Sequence, residues 1–547
     1  LPTTSTDRLA AAALPIFAVV ATISIFLHGP LPLFSTRTLS VAWEMWHAGS
    51  WLLPLQNGEA YSHKAPLLYW LIHLGWAVGG VGETWPKLLM VLIALANLVL
   101  VGVLGRQLFP ERPIVGRVAP WIIAGSMFWF LYALQVMFDL LLGACVLACL
   151  IGLTRRAPDG YFRADGRWIV LGIWLGLLAK GPVALLHVAF PLLLAPWWLD
   201  AARASPARWY RRVAGWVAAA LPLFALWVVP VAVLGGDAFR QELLVTQTAG
   251  RMVSAFDHAQ PPWWYLTVLP LLLFPWVAWP GAWRAVTVRG TLAEPGIRFL
   301  LAWMLPTLVA FSLVSGKQIY YLMALVAGFA LWLAAVTSVR VDRGPARSGL
   351  RIAALPLVAL GLLVAALPAL VAGGRIRSEA VAAFATAGPW FGLAVAAIGA
   401  GLLAGSRDAI AAIPRLGLGS LVAVAILHLQ FTLALWPRYD LGPVARVLAG
   451  YEAEGRVLAN RGTYEGQFHF LGRLTRPIVE TDYHAGPAFA EAHPRAIIVD
   501  YVKAHDCLHP MGPRPIYCQR FRGERIELWL ASDWLLAGQA AGPPPSP

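Results

Sequence analysis

The sequence predicts an α-helical polytopic membrane protein of about 13 transmembrane helices, ending in a small soluble α/β domain. Three observations predict this class. Of the 547 residues, 59% are hydrophobic and only 13% charged, whereas soluble domains are about 45–50% apolar and about 25% charged. Apolar runs long enough to cross a bilayer as helices recur along the chain. Arg and Lys gather in short clusters between those runs, as membrane topogenesis requires. A β-barrel would alternate polar and apolar residues, and stretches such as 89–103 and 355–371 do not. The net charge of +14 invites a nucleic-acid partner, but the confinement of the cations to inter-span loops argues against one.

The expected spans lie near 10–29, 87–105, 118–134, 136–154, 168–180, 181–199, 212–234, 263–283, 297–314, 318–338, 350–372, 386–404 and 416–436. The positive-inside rule orients them. With the N-terminus in the cytoplasm, the cytoplasmic loops hold Arg106, Arg112 and Arg117; Arg155, Arg156 and Arg163; Arg203, Arg208, Arg211 and Arg212; Arg284 and Arg289; Arg340, Arg343 and Arg347; Arg407 and Arg415. An odd number of spans leaves the tail outside. In a bacterium this is the periplasm, and the protein is expected in the inner membrane. Trp168, Trp197, Trp198, Trp263, Trp264 and Trp276 flank apolar runs, where indole prefers the headgroup region.

Residues 30–86 form the first outward loop, in which 38–47 and 67–77 read as helices lying along the membrane surface. The second, at about 11 residues, is too short to span. Counting it as a span would reverse every later loop. The chain divides into a transmembrane domain, 1–437, and a soluble α/β domain, 438–547, with strand-like runs at 456–458, 496–502 and 525–530 and a helix-like run at 444–454. Cys507 and Cys518 fall in that domain. An oxidising compartment would favour a disulfide between them over two free thiols. Cys145 and Cys149 lie within a span and read as packing residues. No metal-ligand spacing, Gly-rich nucleotide loop or Ser/His/Asp order stands out, so neither metal nor cofactor is expected.

One ordered series is distinctive: Trp43-Glu44-Met45, Gly49, Trp51, Pro54, Asn57-Gly58, Tyr61, Lys64, Pro66-Leu67-Leu68 and Tyr69-Trp70. It continues with Asp139, Lys180-Gly181-Pro182, Arg251, His258, Pro261-Pro262-Trp263-Trp264-Tyr265, Pro275-Trp276, Ser315-Gly316-Lys317-Gln318, Tyr320-Tyr321 and Arg438-Tyr439-Asp440. Each piece is weak alone, but the series covers nearly the whole chain. It resembles the bacterial aminoarabinose transferase and protein mannosyltransferase-like superfamily of GT-C glycosyltransferases. The resemblance implies transfer of a sugar from a polyprenyl phosphate, such as undecaprenyl phosphate, to a lipid or glycan acceptor at the periplasmic face. Modification of lipid A is one such reaction. Membrane lipids would surround the site.

Given that resemblance, Arg37, Lys64, Lys180 and Arg251 stand at expected outward positions suited to a donor phosphate. Headgroup snorkelling is the plainer role of such cations. The cost of a lone charge near the membrane favours phosphate binding, most strongly for Lys64 and Lys180 within their motifs. Asp139 is the expected catalytic carboxylate, as a general base or an orienting group. Its plainer role is to complement a helix dipole. Tyr61, His63, His258, Lys317 and Tyr320 are expected to line the substrate site, although belt aromatics and surface hydrogen bonds would look the same. The chain departs from the superfamily where an Asp-Glu pair is usual: here it reads Phe34-Ser35, followed by Thr36, Arg37 and Thr38. Glu44, Glu59 and His63 are the nearest substitutes. The competing expectation is a catalytically impaired relative acting as a lipid-binding or scaffold subunit. A transporter is disfavoured by the lack of paired broken helices.

Overall fold

The computed structural model describes residues 9–157, 159–243, 259–280, 283, 291–341, 349–405, 408–482, 485–503, 507 and 513–541. The chain falls into two compact units: Leu1–Phe26 with Ser62–Ala366 and Gly388–Leu429, and Leu27–Tyr61 with Leu367–Ala387 and Gln430–Pro547.

The first unit is helical. Among the described residues six helices are long and apolar enough to cross a bilayer: Thr84–Leu108, Pro206–Leu234, Pro295–Leu313, Ile319–Val339, Leu350–Ala372 and Ala409–Ala434. Up to eight qualify if two bent pairs, Ile114–Ala124 with Met127–Ala133 and Glu379–Ala385 with Trp390–Leu402, each form one span. Other expected runs hold shorter apolar helices. The runs at 10–29, 136–154, 168–180 and 181–199 are occupied by Ala13–Ile25, Phe138–Leu153, Gly166–Lys180 and Val183–Leu193, of 11 to 16 residues. At about 1.5 Å per residue these rise less than the roughly 30 Å of the hydrocarbon layer. At 263–283 the helix Trp264–Leu272 has only nine residues.

Small residues let the helices approach closely, as expected where packing rather than water drives association. A methyl group added at Gly361 would lie 2.2 Å from the Ala396 nitrogen, and one at Gly392 would lie 2.2 Å from the Ala365 nitrogen. Leu350–Ala372 and Trp390–Leu402 therefore meet backbone to backbone at this crossing.

The second unit contains a hairpin, β1 (Leu55–Gln56) and β2 (Glu59–Ala60), and a five-stranded sheet of β3 (Leu458–Arg461), β4 (Val479–Thr481), β5 (Ile497–Val502), β6 (Tyr517–Phe521) and β7 (Glu524–Leu530). The sheet order is β4-β3-β5-β7-β6, with β3 parallel to β4 and β5, and β7 antiparallel to β5 and β6. Alternation places Ile497 and Val499 in a core with Val444, Leu448, Phe468, Ile526 and Leu528, while Ile498 packs with Ala490 and Ala531 in a second cluster. Strands β4 and β6 are additions to the three expected runs. Cys507 and Cys518 are joined in a disulfide.

The helix Ser35–His47 is anchored within this second unit. Ser40 Oγ donates to the Gly466 carbonyl and accepts from the Phe470 amide at 3.1 Å, and Trp43 Nε1 donates to the Leu474 carbonyl at 2.8 Å. The β1–β2 turn is Asn57-Gly58, with φ of 55° and 81°, the backbone that a two-residue primed turn requires. Glu44 accepts from both turn amides, at 2.9 and 2.8 Å. The Asn57 side chain donates to the Ile478 carbonyl and accepts from the Ile478 amide, each at 2.8 Å, as a strand neighbour would. Much of the Trp43 to Gly58 motif is therefore architecture.

Candidate active site

The first unit gathers a polar cluster where a helix start and a helix end meet. Asp139 lies in the first turn of Phe138–Leu153, where the helix dipole favours a carboxylate. Lys180 is the last residue of Gly166–Lys180, where the dipole favours a cation. Gly181 then turns the chain at φ +67°, a backbone that glycine adopts without strain. Pro182 precedes the next helix, Val183–Leu193, and ends the turn. The Lys-Gly-Pro sequence thus means helix end, turn and helix start.

Lys180 Nζ donates to Asp139 Oδ1. The two side chains are 9% and 6% exposed, so neither charge is met mainly by water. The ammonium lies 4.5 Å from the Tyr321 ring centroid and 5.5 Å from that of Tyr320, within the range of attraction to a π face. Tyr320 in turn packs edge-on against Tyr132, with centroids 5.8 Å apart. Lys64 Nζ sits 5.9 Å from the ring of Phe138, the residue before Asp139. Tyr69 supports that ring edge-on at 5.4 Å. Lys64, Asp139, Lys180 and Tyr320 therefore belong to one neighbourhood, which also includes Tyr132 and Tyr321.

Other expected site residues have partners of their own. Lys317 Nζ donates to the carbonyls of Gln260 at 2.7 Å and Val314 at 2.5 Å, and the residue is 2% exposed, so its ammonium braces its own turn. His63 Nε2 is 3.0 Å from Glu242 Oε1. In the second unit Arg37 pairs with Glu465 at 3.3 Å, and Tyr61 is buried, with its amide on the Pro54 carbonyl at 2.8 Å. Arg251 and His258 lie outside the described residues.

Glu44 carries no chemistry here. Burial raises its pKa above the usual carboxylate range, opposed by the Gly58 and Asn57 amides. Glu242 and Glu465 were not expected as site residues. The faint signal for Glu242 is a second carboxylate in a short polar run with Asp237, Arg240 and Gln241. For Glu465 nothing local distinguishes it.

No family model matches the chain. By sequence it is similar to the undecaprenyl phosphate-α-4-amino-4-deoxy-L-arabinose arabinosyl transferase of Edwardsiella ictaluri (strain 93-146), 29% identical over 306 residues, covering 55% of this chain and 54% of that one. It is 28% identical over 349 residues to the second such transferase of Pseudomonas fluorescens (strain Pf0-1), covering 61% and 60%. The chain spans little more than half the length of the curated relatives it matches. By structure it is similar to ArnT from Cupriavidus metallidurans bound to undecaprenyl phosphate, with a TM-score of 0.74 at 17% identity over 96% of this chain and 98% of that one. The apo form of that protein gives 0.72 at 15% identity over 97% and 99%.

The fold is that of a GT-C membrane protein. Within that class, the chain is similar in sequence to the aminoarabinose transferases over little more than half its length.

Proposed function

We propose that the chain is a membrane glycosyltransferase that moves a sugar from a polyprenyl phosphate to a lipid, lipid A-like, or other acceptor at the periplasmic face of the bacterial inner membrane. The observation that carries this reading is the buried Asp139–Lys180 pair beneath Tyr320 and Tyr321, with Lys64 on the adjoining Phe138 ring. Breaking a glycosyl phosphate leaves negative charge on the phosphate and positive charge on the sugar. Fixed cations stabilise the first in a site of low dielectric. Lys64 and Lys180 are assigned to the donor phosphate. Asp139 orients Lys180 and faces the positive charge of the sugar. Tyr320 offers a ring face for the sugar.

The relatives act on an undecaprenyl phosphate-linked aminosugar by name, which makes that compound the first donor to try. Purified chain in liposomes with this donor and lipid A is expected to give modified lipid A. Lys64→Ala and Asp139→Asn are expected to abolish it. Full transfer by both variants would overturn the assignment.

A further inference from the structure

Away from the polar cluster, the first unit holds a cavity of about 560 Å³, within the roughly 300–1,000 Å³ of small-molecule sites. Helix ends frame it. Leu108 closes Thr84–Leu108, Pro295 and Gly296 open Pro295–Leu313, Val339 ends Ile319–Val339, and Arg156 follows Phe138–Leu153. Asp139 stands at the start of that last helix, whose 16 residues rise about 24 Å. The cavity therefore lies at the far end of this helix from the Asp139–Lys180 pair. Under the positive-inside orientation this is the cytoplasmic face.

Four charged side chains line the cavity: Glu111, Arg112, Arg156 and Glu294. Arg112 and Glu294 engage each other, and Arg112 also donates to the Ala335 carbonyl at 3.0 Å and to Ser338 Oγ at 3.1 Å. Arg156 donates instead to the carbonyls of Gln107 at 2.7 Å and Gly160 at 2.5 Å, with the Phe162 ring 4.3 Å from its guanidinium. These partners are neutral, and a guanidinium has further N–H groups to offer. Burial lowers the Arg156 pKa and the Glu111 charge opposes this, so the two charges sense each other. Among the described residues they nonetheless close no ion pair. A guanidinium and a carboxylate that share a cavity without meeting fit a ligand that carries both signs of charge.

We propose that this cavity binds a phosphoethanolamine group, free or as the head of a membrane phospholipid, with its phosphate on Arg156 and its ammonium on Glu111. A phosphate takes a guanidinium in charge-assisted hydrogen bonds, and an ammonium donates in the same way to a carboxylate. The lining charges cancel, so a purely anionic head gains Arg156 but meets repulsion from Glu111. A choline head carries both charges but has no N–H to donate. Leu108, Phe109 and Val339 add apolar wall, suited to the glycerol end of a lipid.

The test is binding to the full chain in detergent, read as protection against thermal unfolding. The probes are short-chain phosphatidylethanolamine, phosphatidylcholine and phosphatidylglycerol, and free phosphoethanolamine. Wild type is expected to bind phosphatidylethanolamine at least about tenfold more tightly than the other two lipids. Glu111 is exposed and outside any ion pair, so Glu111→Gln should fold normally. It should weaken phosphatidylethanolamine roughly 10- to 150-fold and erase the preference over phosphatidylglycerol. Arg156→Gln should weaken both of these lipids. Arg156→Lys should keep part of the binding, which separates loss of charge from loss of the carbonyl contacts. Equal binding of free phosphoethanolamine and the lipid supports the site with a soluble ligand, and binding of the lipid alone supports it with a membrane one. Equal binding of all three lipids, or an unchanged preference in Glu111→Gln, overturns the proposal. Neither result bears on transfer at the Asp139–Lys180 site, which is assayed separately.

Discussion

The Lys180 ammonium is bounded by the Asp139 carboxylate on one side and the Tyr321 ring, 4.5 Å away, on another. A buried charge pair of this kind is costly to break and often neutral to replace as a unit. Lys180→Ala is therefore expected to destabilise the first unit by about 3–5 kcal/mol, because the Asp139 charge is left uncompensated. The double variant Lys180→Met with Asp139→Leu should recover most of that stability without recovering transfer. Thermal unfolding in detergent beside the transfer assay separates the two effects. Equal transfer by the double variant would show that the pair is only structural.

Lys64 differs from Lys180 in burial. It is half-buried, against an aromatic ring. Lys64→Ala should change stability by less than about 1 kcal/mol. Its loss should weaken undecaprenyl phosphate binding by about 1.5–3 kcal/mol, the range of a hydrogen bond to a charged group, or roughly 10- to 150-fold. Ligand-dependent thermal shifts of wild type and variant measure this.

His469 gives the second unit a pH dependence of known sign. Tyr464 Oη donates to His469 Nδ1 at 2.6 Å, and His469 Nε2 donates to the Arg476 carbonyl at 3.2 Å. Tyr464 Oη in turn accepts from the Phe468 and His469 amides at 3.1 and 3.2 Å. The network needs a neutral imidazole, and burial lowers its pKa from 6.5 to about 4. The unfolded chain therefore binds the proton more readily between about pH 4 and 6.5, so the stabilisation is complete above pH 6.5 and is lost as pH falls towards 4. The span is up to about 3 kcal/mol. Hydrogen exchange of the Phe470 and Leu474 amides in the full chain should speed up over that window. His469→Gln should flatten the response.

Gly58 is expected to resist substitution. Its φ of +81° disfavours a side chain, and a Cβ there would lie 2.7 Å from Pro477 Cγ. Gly58→Ala should cost about 1–3 kcal/mol by strain of a kind seldom borne outside glycine. Asn57→Ala should cost a similar amount by leaving both Ile478 backbone groups unmet. Proteolysis rates around Ile478 report both.

The segment at 34–35 bears on the missing acid pair. Phe34 is 37% exposed, whereas Ser35 is 2% exposed. Phe34→Asp should be tolerated and Ser35→Glu should destabilise, since a buried carboxylate without a partner is costly. Expression level and melting temperature distinguish them.

The sequence exposed the helical class because apolar run length and loop charge are one-dimensional signals. A run of apolar residues does not reveal where a helix bends, as between Ala124 and Met127 inside the expected span 118–134. Asp139, Lys180 and Tyr320 were legible as motif residues, and the fold brings them together. The partners of His63 and Arg37 were not legible. Glu242 and Glu465 reach them from distant parts of the chain, through side chains with no local pattern. Asn57 was legible as a turn residue, but its pairing with Ile478 depends on tertiary packing alone.

The most direct measurement is the position of the phosphorus atom in a structure of the full chain with undecaprenyl phosphate. The site requires the phosphate to lie within ion-pair reach of Lys64 and Lys180, beside Tyr320 and Tyr321. A phosphate bound away from both lysines, or at the opposite ends of these helices, would contradict it.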